Sequence, residues 1–163
     1  MRKTLLPLLA PLALAAGFAF GPEPAPAPVP GPGAIAEMIK QYMKALDTGD
    51  AQAATAYVVA KGCRMPLLLY GLHGEKAEGH DGLLAAISKI GKGTTKLSAM
   101  HADCHSPELG YATFEYEREL ADKTLERARV TVLAQWEKER QWRFFHWHAS
   151  PATSPLPAPK VEK

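Results

Sequence analysis

Trp142-Arg143-Phe144-Phe145-His146-Trp147-His148-Ala149-Ser150 is the stretch on which the fold turns. Aromatic side chains fill it, no glycine or proline interrupts it, and the charged Lys138-Glu139-Arg140 precedes it, so Gln141 to Ser150 reads as a strand. Simple alternation places Trp142, Phe144, His146, His148 and Ser150 on one side, with Arg143, Phe145, Trp147 and Ala149 on the other. Both sides are apolar. In a small domain one such face meets the chain's own helices and the other meets a second subunit, so a homodimer is expected.

Working back from this strand, Thr94 to Cys104, Leu109 to Leu120 and Thr124 to Glu137 are further strand candidates, separated by Ser106-Pro107 and Asp122-Lys123. Their tight connections make antiparallel pairing the economical topology. The helices lie upstream. Ile35, Met38, Ile39, Tyr42, Met43 and Leu46 form one apolar stripe at helical spacing, ended by Asp47-Thr48-Gly49. Asp50 can cap a second helix, Ala51 to Val59, and Asp81 a third, Gly82 to Ile90. Between them Pro66 to Tyr70 reads as a strand, Gly71 to Gly74 as a turn and Glu75 to Gly79 as its short partner. Helix, helix, hairpin, helix and meander make an α+β domain whose curved antiparallel sheet wraps the N-terminal helix and leaves a conical pocket.

The prolines set the limits of this domain. Of 14, only Pro66 and Pro107 lie in residues 34–150, which are expected to hold one core without an obligatory disulfide or metal. Residues 1–20 read as a signal peptide: Arg2 and Lys3 precede the apolar run Leu5 to Phe20, which is short for a membrane span and contains Pro7 and Pro11. The chain is therefore expected to be exported, periplasmic or secreted, with no stable membrane insertion after cleavage. Alternating proline makes residues 21–33 an extended linker, and 151–163 reads as a disordered tail. Acidic and basic residues balance between Ala34 and Ser150, which argues against nucleic acid as a partner.

Four segments together carry a resemblance. The ending Trp142 to Ser150 resembles the last strand of SnoaL-like domains in the nuclear transport factor 2-like superfamily, the ketosteroid isomerase/cystatin-like fold. Leu46-Asp47-Thr48-Gly49-Asp50 resembles the joint between that family's first two helices, Gly79-His80-Asp81-Gly82 the start of its third, and Arg129-Val130-Thr131-Val132 its fifth strand. The resemblance implies a cone of three helices and about six strands, a hydrophobic pocket and frequent dimers through the outer sheet face. It does not imply one activity, since the superfamily includes isomerases, cyclases, dehydratases, association domains and binding modules.

The residues themselves allow several sites. If Asp122-Lys123 is a two-residue turn, Tyr116 lies opposite Arg129 and Phe114 opposite Thr131, which makes these four a pocket wall with a polar end. Tyr42, Tyr57, His146 and His148 are further pocket residues. An isomerase-like enzyme needs a carboxylate base in an apolar pocket and a phenol for the developing oxyanion. Tyr116, Asp103 and His146 are the catalytic candidates, Asp103 being the acid that falls in a mostly apolar strand away from a turn. His146 and His148 point to one side and are two ligands at most, so no metal is assigned without a third. No cofactor is expected. Cys63 and Cys104 either form a disulfide in an oxidising compartment, contributing about 4 kcal/mol, or stay as two buried thiols.

The function expected is an exported module binding an apolar or amphipathic small molecule in the cone. An acid-base isomerase, cyclase or dehydratase acting next to a carbonyl is the alternative, and whether the chain is an enzyme is left open. A structural dimerisation domain is the third reading, which a pocket filled by side chains would select.

Overall fold

The apolar stripe forms the buried face of α1 (Pro32–Thr48), with Ile35 and Ile39 fully inaccessible. Pro32 sits in the first turn, where its missing N–H costs nothing, and Gly49 ends the helix at φ 72. Its N–H and that of Asp50 satisfy the carbonyls of Leu46 and Ala45, both at 3.0 Å. Each of the larger buried side chains contributes roughly 1.5–3 kcal/mol by leaving water. In this computed structural model residues 30–63, 66–137 and 141–152 are described, so the expected signal peptide, most of the linker and nearly all of the tail lie outside them. Of the described helices none is long and apolar enough to cross a membrane.

Asp50 caps α2 (Ala51–Thr55) through the Ala53 N–H, as expected, but α2 stops four residues earlier than its alanines suggest. The reason is competition for the backbone: Phe144 N–H donates to the Tyr57 carbonyl and Val59 N–H to the Phe144 carbonyl, at 3.0 and 3.1 Å, so this segment leaves the helix to bridge a strand. β1 (Leu68–Tyr70) and β2 (Lys76–Glu78) form the short hairpin, and α3 (Gly79–Ile87) begins three residues before the expected start. Asp81 therefore lies in the first turn of α3 and does not cap it.

The meander follows as β3 (Gly93–Ser106), β4 (Leu109–Leu120), β5 (Leu125–Glu137) and β6 (Gln141–Pro151). The sheet order is β2-β1-β6-β5-β4-β3, antiparallel throughout except for the parallel β1–β6 pair. The sheet is unclosed and α1 packs mainly against β3, with contacts to β4 and β6. The cone-shaped α+β architecture expected from the sequence is the architecture found.

Two single-residue events change which side chains face α1. The β4–β5 loop has three residues, Ala121-Asp122-Lys123, because Leu120 pairs with Thr124 and Lys123 takes φ 71. Glu115 therefore lies opposite Arg129, Phe114 opposite Val130 and Tyr116 opposite Ala128, one residue out of the expected register. In β6, Ala134 pairs with Phe144 but Leu133 with His146, which leaves Phe145 as the extra residue of a bulge. Beyond the bulge the alternation is inverted. Trp142, Phe144, Trp147 and Ala149 are all buried, while His148 is exposed. Simple alternation grouped His146, His148 and Ser150 with Trp142 and Phe144; the bulge instead sends these three to the outer face, away from the pocket expected for His146 and His148, and turns Trp147 and Ala149 inward.

Candidate functional site

The period of two along β4 brings Ala112, Phe114, Tyr116 and Arg118 to the inner face, with Ala112 and Phe114 buried beneath the helix. Arg118 stands in this row between Tyr116 and Leu120 and is only 3% exposed. A buried guanidinium needs a counter-charge and acceptors. Asp47, just before the glycine that ends α1, supplies the charge: its Oδ1 accepts from Arg118 Nε at 3.1 Å. Arg118 Nη2 donates to the Leu46 and Gly91 carbonyls at 3.1 and 2.7 Å. Thr95 fixes the carboxylate from β3, donating its N–H to Oδ2 and its hydroxyl to Oδ1, each at 2.8 Å. The helix stop, β3, β4 and the segment after α3 are tied together at one point.

Above this point lies a cavity of about 550 Å³ between the second half of α1, the β1–β2 hairpin, α3 and the inner faces of β4 and β6. Met43, Leu46, Leu69, Leu83, Ile87, Trp147 and Ala149 give it apolar walls. Tyr42, Tyr116 and Arg118 form a polar pole. Tyr42 is 3% exposed and its ring is wedged against Phe144 and Trp147, with centroids 4.8 and 5.2 Å away. Burial pushes the Tyr42 phenol well above the ordinary range. Tyr116 is pushed up to about 12, first by burial and then by the Glu126 carboxylate. Both therefore remain hydroxyls at neutral pH. His73, Glu75 and Glu126 line the same cavity, with His73 Nε2 3.9 Å from Glu126 Oε1.

Of the residues singled out in the sequence, Tyr42 and Tyr116 line this cavity. Phe114 is buried on the same face but packs against Trp147 at 5.6 Å and takes no part in the lining. Tyr57 is half-buried in the segment after α2, away from the lining, with its carbonyl bound to Phe144. The others are corrected by the shifted register and the bulge. Arg129 points outward, its Nε 2.8 Å from Glu115, and Thr131 is exposed on the same face. His146 and His148 stand against Tyr70, ring centroids 6.0 Å away in both cases, on the outer side. Asp103 is exposed on β3 and accepts from the Cys104 N–H. No group of three His, Cys, Asp or Glu is placed to hold a metal among the described residues. Cys63 and Cys104 are free, the Cys63 sulfur accepting from Gln135 Nε2 at 2.8 Å.

Arg118 of the pole, its partner Asp47, and the rim residues His73, Glu75 and Glu126 were not singled out as site residues by the sequence reading. A signal for Arg118 existed: it continues the spacing of Phe114 and Tyr116, but it sits among Glu115, Glu117 and Glu119 and looks like part of a solvated row. A smaller hollow of about 270 Å³ lies beside Cys63 and His80. His80 is not solvated as a turn histidine would be: it is half-buried, with Nε2 bound to the Val59 carbonyl.

No protein-family profile matches the chain, and no curated protein does. Solved structures do. A candidate dehydratase of the nuclear transport factor 2-like family from Streptomyces avermitilis is 12% identical with a TM-score of 0.65, over 75% of this chain and 96% of that one. A structure from Xanthomonas campestris, described as a candidate calcium/calmodulin-dependent protein kinase II association domain, is 14% identical with a TM-score of 0.64, over 74% and 86%. A ketosteroid isomerase-like protein from Erwinia carotovora atroseptica is 14% identical with a TM-score of 0.57, over 75% and 96%. With the cone, the strand order and the hollow beside α1 already on the page, these likenesses show that the chain has the fold of the nuclear transport factor 2-like superfamily.

Proposed function

We propose that this is an exported protein that binds an apolar or amphipathic small molecule in the hollow between α1, α3 and the inner face of the sheet. The observation that carries the reading is the cavity of about 550 Å³, within the roughly 300–1,000 Å³ typical of small-molecule sites, with apolar walls and one polar pole. A pocket filled by side chains would have selected the dimerisation reading, and this one is open. Export rests on residues 1–20, and cleavage near the end of that segment is the expected result of N-terminal sequencing of the secreted chain. The same reading includes a homodimer through the outer sheet face, supported by the aromatic cluster of Tyr70, His146 and His148 there, and sedimentation velocity tests it.

The direct test of the cavity is binding of the uncharged dye N-phenyl-1-naphthylamine to the full chain. Fluorescence is expected to rise on binding and to be lost in Ala86→Trp, which fills the cavity from α3 while circular dichroism stays unchanged. Equal dye binding by a folded Ala86→Trp variant would remove the cavity as the site.

One observation favours a second reading, acid-base catalysis next to a carbonyl. His73 and Glu126 place proton acceptors on the same cavity as the Tyr116 and Tyr42 hydroxyls, the two kinds of group that proton transfer beside a developing oxyanion requires. In that case the base is at the rim, not at Asp103 or His146. A turnover assay on an enolisable ketone with Tyr116→Phe and Glu126→Gln tests it, with loss of at least 100-fold expected from either change.

A further inference from the structure

We propose that the cavity selects an uncharged ligand that presents a carbonyl-type oxygen to Tyr42, Tyr116 and Arg118 and lays an apolar body along Leu69, Leu83 and Trp147. This rests on reading the cavity as a small-molecule site and adds the class of molecule.

The argument begins with the donors. Arg118 is 97% removed from solvent, and its Nε and Nη2 are occupied by Asp47, Leu46 and Gly91. Its Nη1 makes no hydrogen bond to a described residue. The Tyr42 and Tyr116 hydroxyls make none either, although Tyr42 is as buried as Arg118. Yet among the described residues no inaccessible side-chain nitrogen or oxygen is left unpaired. Both statements hold only if these atoms open onto free space, and the space that all three residues line is the cavity. The three lie within each other's electrostatic reach: Arg118 acts on both phenols, and Tyr116 acts on Tyr42. A guanidinium nitrogen can only donate, while a phenol that retains its proton can donate or accept. A ligand atom facing Arg118 must therefore accept, and an sp² oxygen with two lone pairs can accept from Arg118 and from a phenol together. An ammonium would set N–H against N–H at Arg118.

Charge then separates a ketone or similar carbonyl from a carboxylate. Arg118 looks like an invitation to an anion, but its charge is already matched by Asp47, whose two oxygens are held in place by Thr95. Two further carboxylates, Glu75 and Glu126, line the same cavity. At the Tyr116 hydroxyl the negative field of Glu126 outweighs the positive field of Arg118. An incoming carboxylate would give up its hydration to enter a pole that is already neutral and faces like charge. A neutral carbonyl meets the same donors without that cost.

The experiment is displacement of N-phenyl-1-naphthylamine from the full chain at pH 7 by four probes of matched length: 2-decanone, 2-decanol, decanoate and decylamine. The ketone is expected to displace the dye at concentrations at least ten-fold below decanoate and decylamine, with the alcohol between. Tyr42→Phe and Tyr116→Phe keep ring packing and are expected each to reduce the ketone's advantage over decanoate several-fold, a ratio measured against the same dye in each variant so that any change in the dye's own affinity cancels. Decanoate or decylamine competing as well as the ketone, or an unchanged ketone preference in both Phe variants, would overturn the head-group assignment alone. Failure of both the dye and the ketone to bind would remove the ligand site itself, and this inference with it.

Discussion

The two faces of β4 and β5 alternate residue by residue, yet they hold charge in opposite ways. Outside, Glu115 meets Arg129 and Glu117 meets Arg127, each with a separation of 2.8 Å. Inside, Arg118 is 3.1 Å from Asp47. By distance the outer pairs look stronger. By surroundings they are weaker, because the side chains of Arg127 and Arg129 keep 59% and 41% of their exposure while Arg118 keeps 3%. Water and salt screen the outer pairs, whereas the inner one stands where an unmatched charge has nowhere to go. Contact length is therefore a poor guide to energy in this molecule, and burial a good one.

The sharpest way to break the comparison is to remove one partner on each face. Arg118→Ala or Asp47→Ala strands the other charge and its bonded carbonyls, and is expected to lower the unfolding free energy by about 3–5 kcal/mol. Arg129→Ala is expected to cost about 0–1 kcal/mol. Urea denaturation of the three variants measures both. Equal losses on the two faces would mean that the inner pair is solvated and the polar pole is not closed.

High pH probes the same difference more gently. Tyr116 lines the inner face, and its folded pKa is pushed up to about 12 against an ordinary value of 10.0, by burial first and Glu126 second. The folded state thus keeps a proton that the unfolded chain loses, so the contribution is whole below pH 10 and disappears as pH rises toward 12. The loss is on the order of 1–2 kcal/mol. Urea midpoints at pH 9 and 11.5 should fall, and fall less in Tyr116→Phe. No difference between that variant and the natural chain would place the hydroxyl in water.

Much of this arrangement was legible in advance, and the part that was not has a definite physical cause. Periodicity announced α1, the four long strands and the cone, because hydrophobic spacing reports which period the chain follows. It does not report phase. The phase between β4 and β5 is set by whether Ala121 belongs to a strand or to the loop, and that depends on Lys123 accepting φ 71, which a lysine does not advertise. In β6 the phase is reset at Phe145 by a bulge that no glycine or proline marks. Both errors moved residues by one position, and one position exchanges the faces of a sheet. So Arg129, Thr131, His146 and His148 were read as pocket residues, while Arg118 was passed over. Tyr42 was legible because its place on α1 follows from helical spacing with no strand register in between. Substituting Lys123→Gly should stabilise the three-residue loop by about 1 kcal/mol, since glycine takes positive φ without the penalty of a side chain. A loss of stability instead would mean that the loop does not hold this register.

The smallest expected effect belongs to the outer face and sharpens the question of what covers it. His146 is partly buried, with Leu133 and Leu68 beside it in register and the rings of Tyr70 and His148 nearby. Burial, and secondarily His148, pulls its pKa below the ordinary value of 6.5. The folded chain therefore binds this proton less readily than the unfolded chain, so the stability it contributes is whole above pH 6.5 and declines as pH falls below it. His146→Gln should flatten the stability profile between pH 7 and pH 5. If a second copy sits on this face it adds desolvation to the same imidazole, and the decline should become steeper as protein concentration rises. A monomer gives a profile independent of concentration. The acid limb of His146 thus reads the occupancy of the outer face, just as the alkaline limb of Tyr116 reads the closure of the inner one.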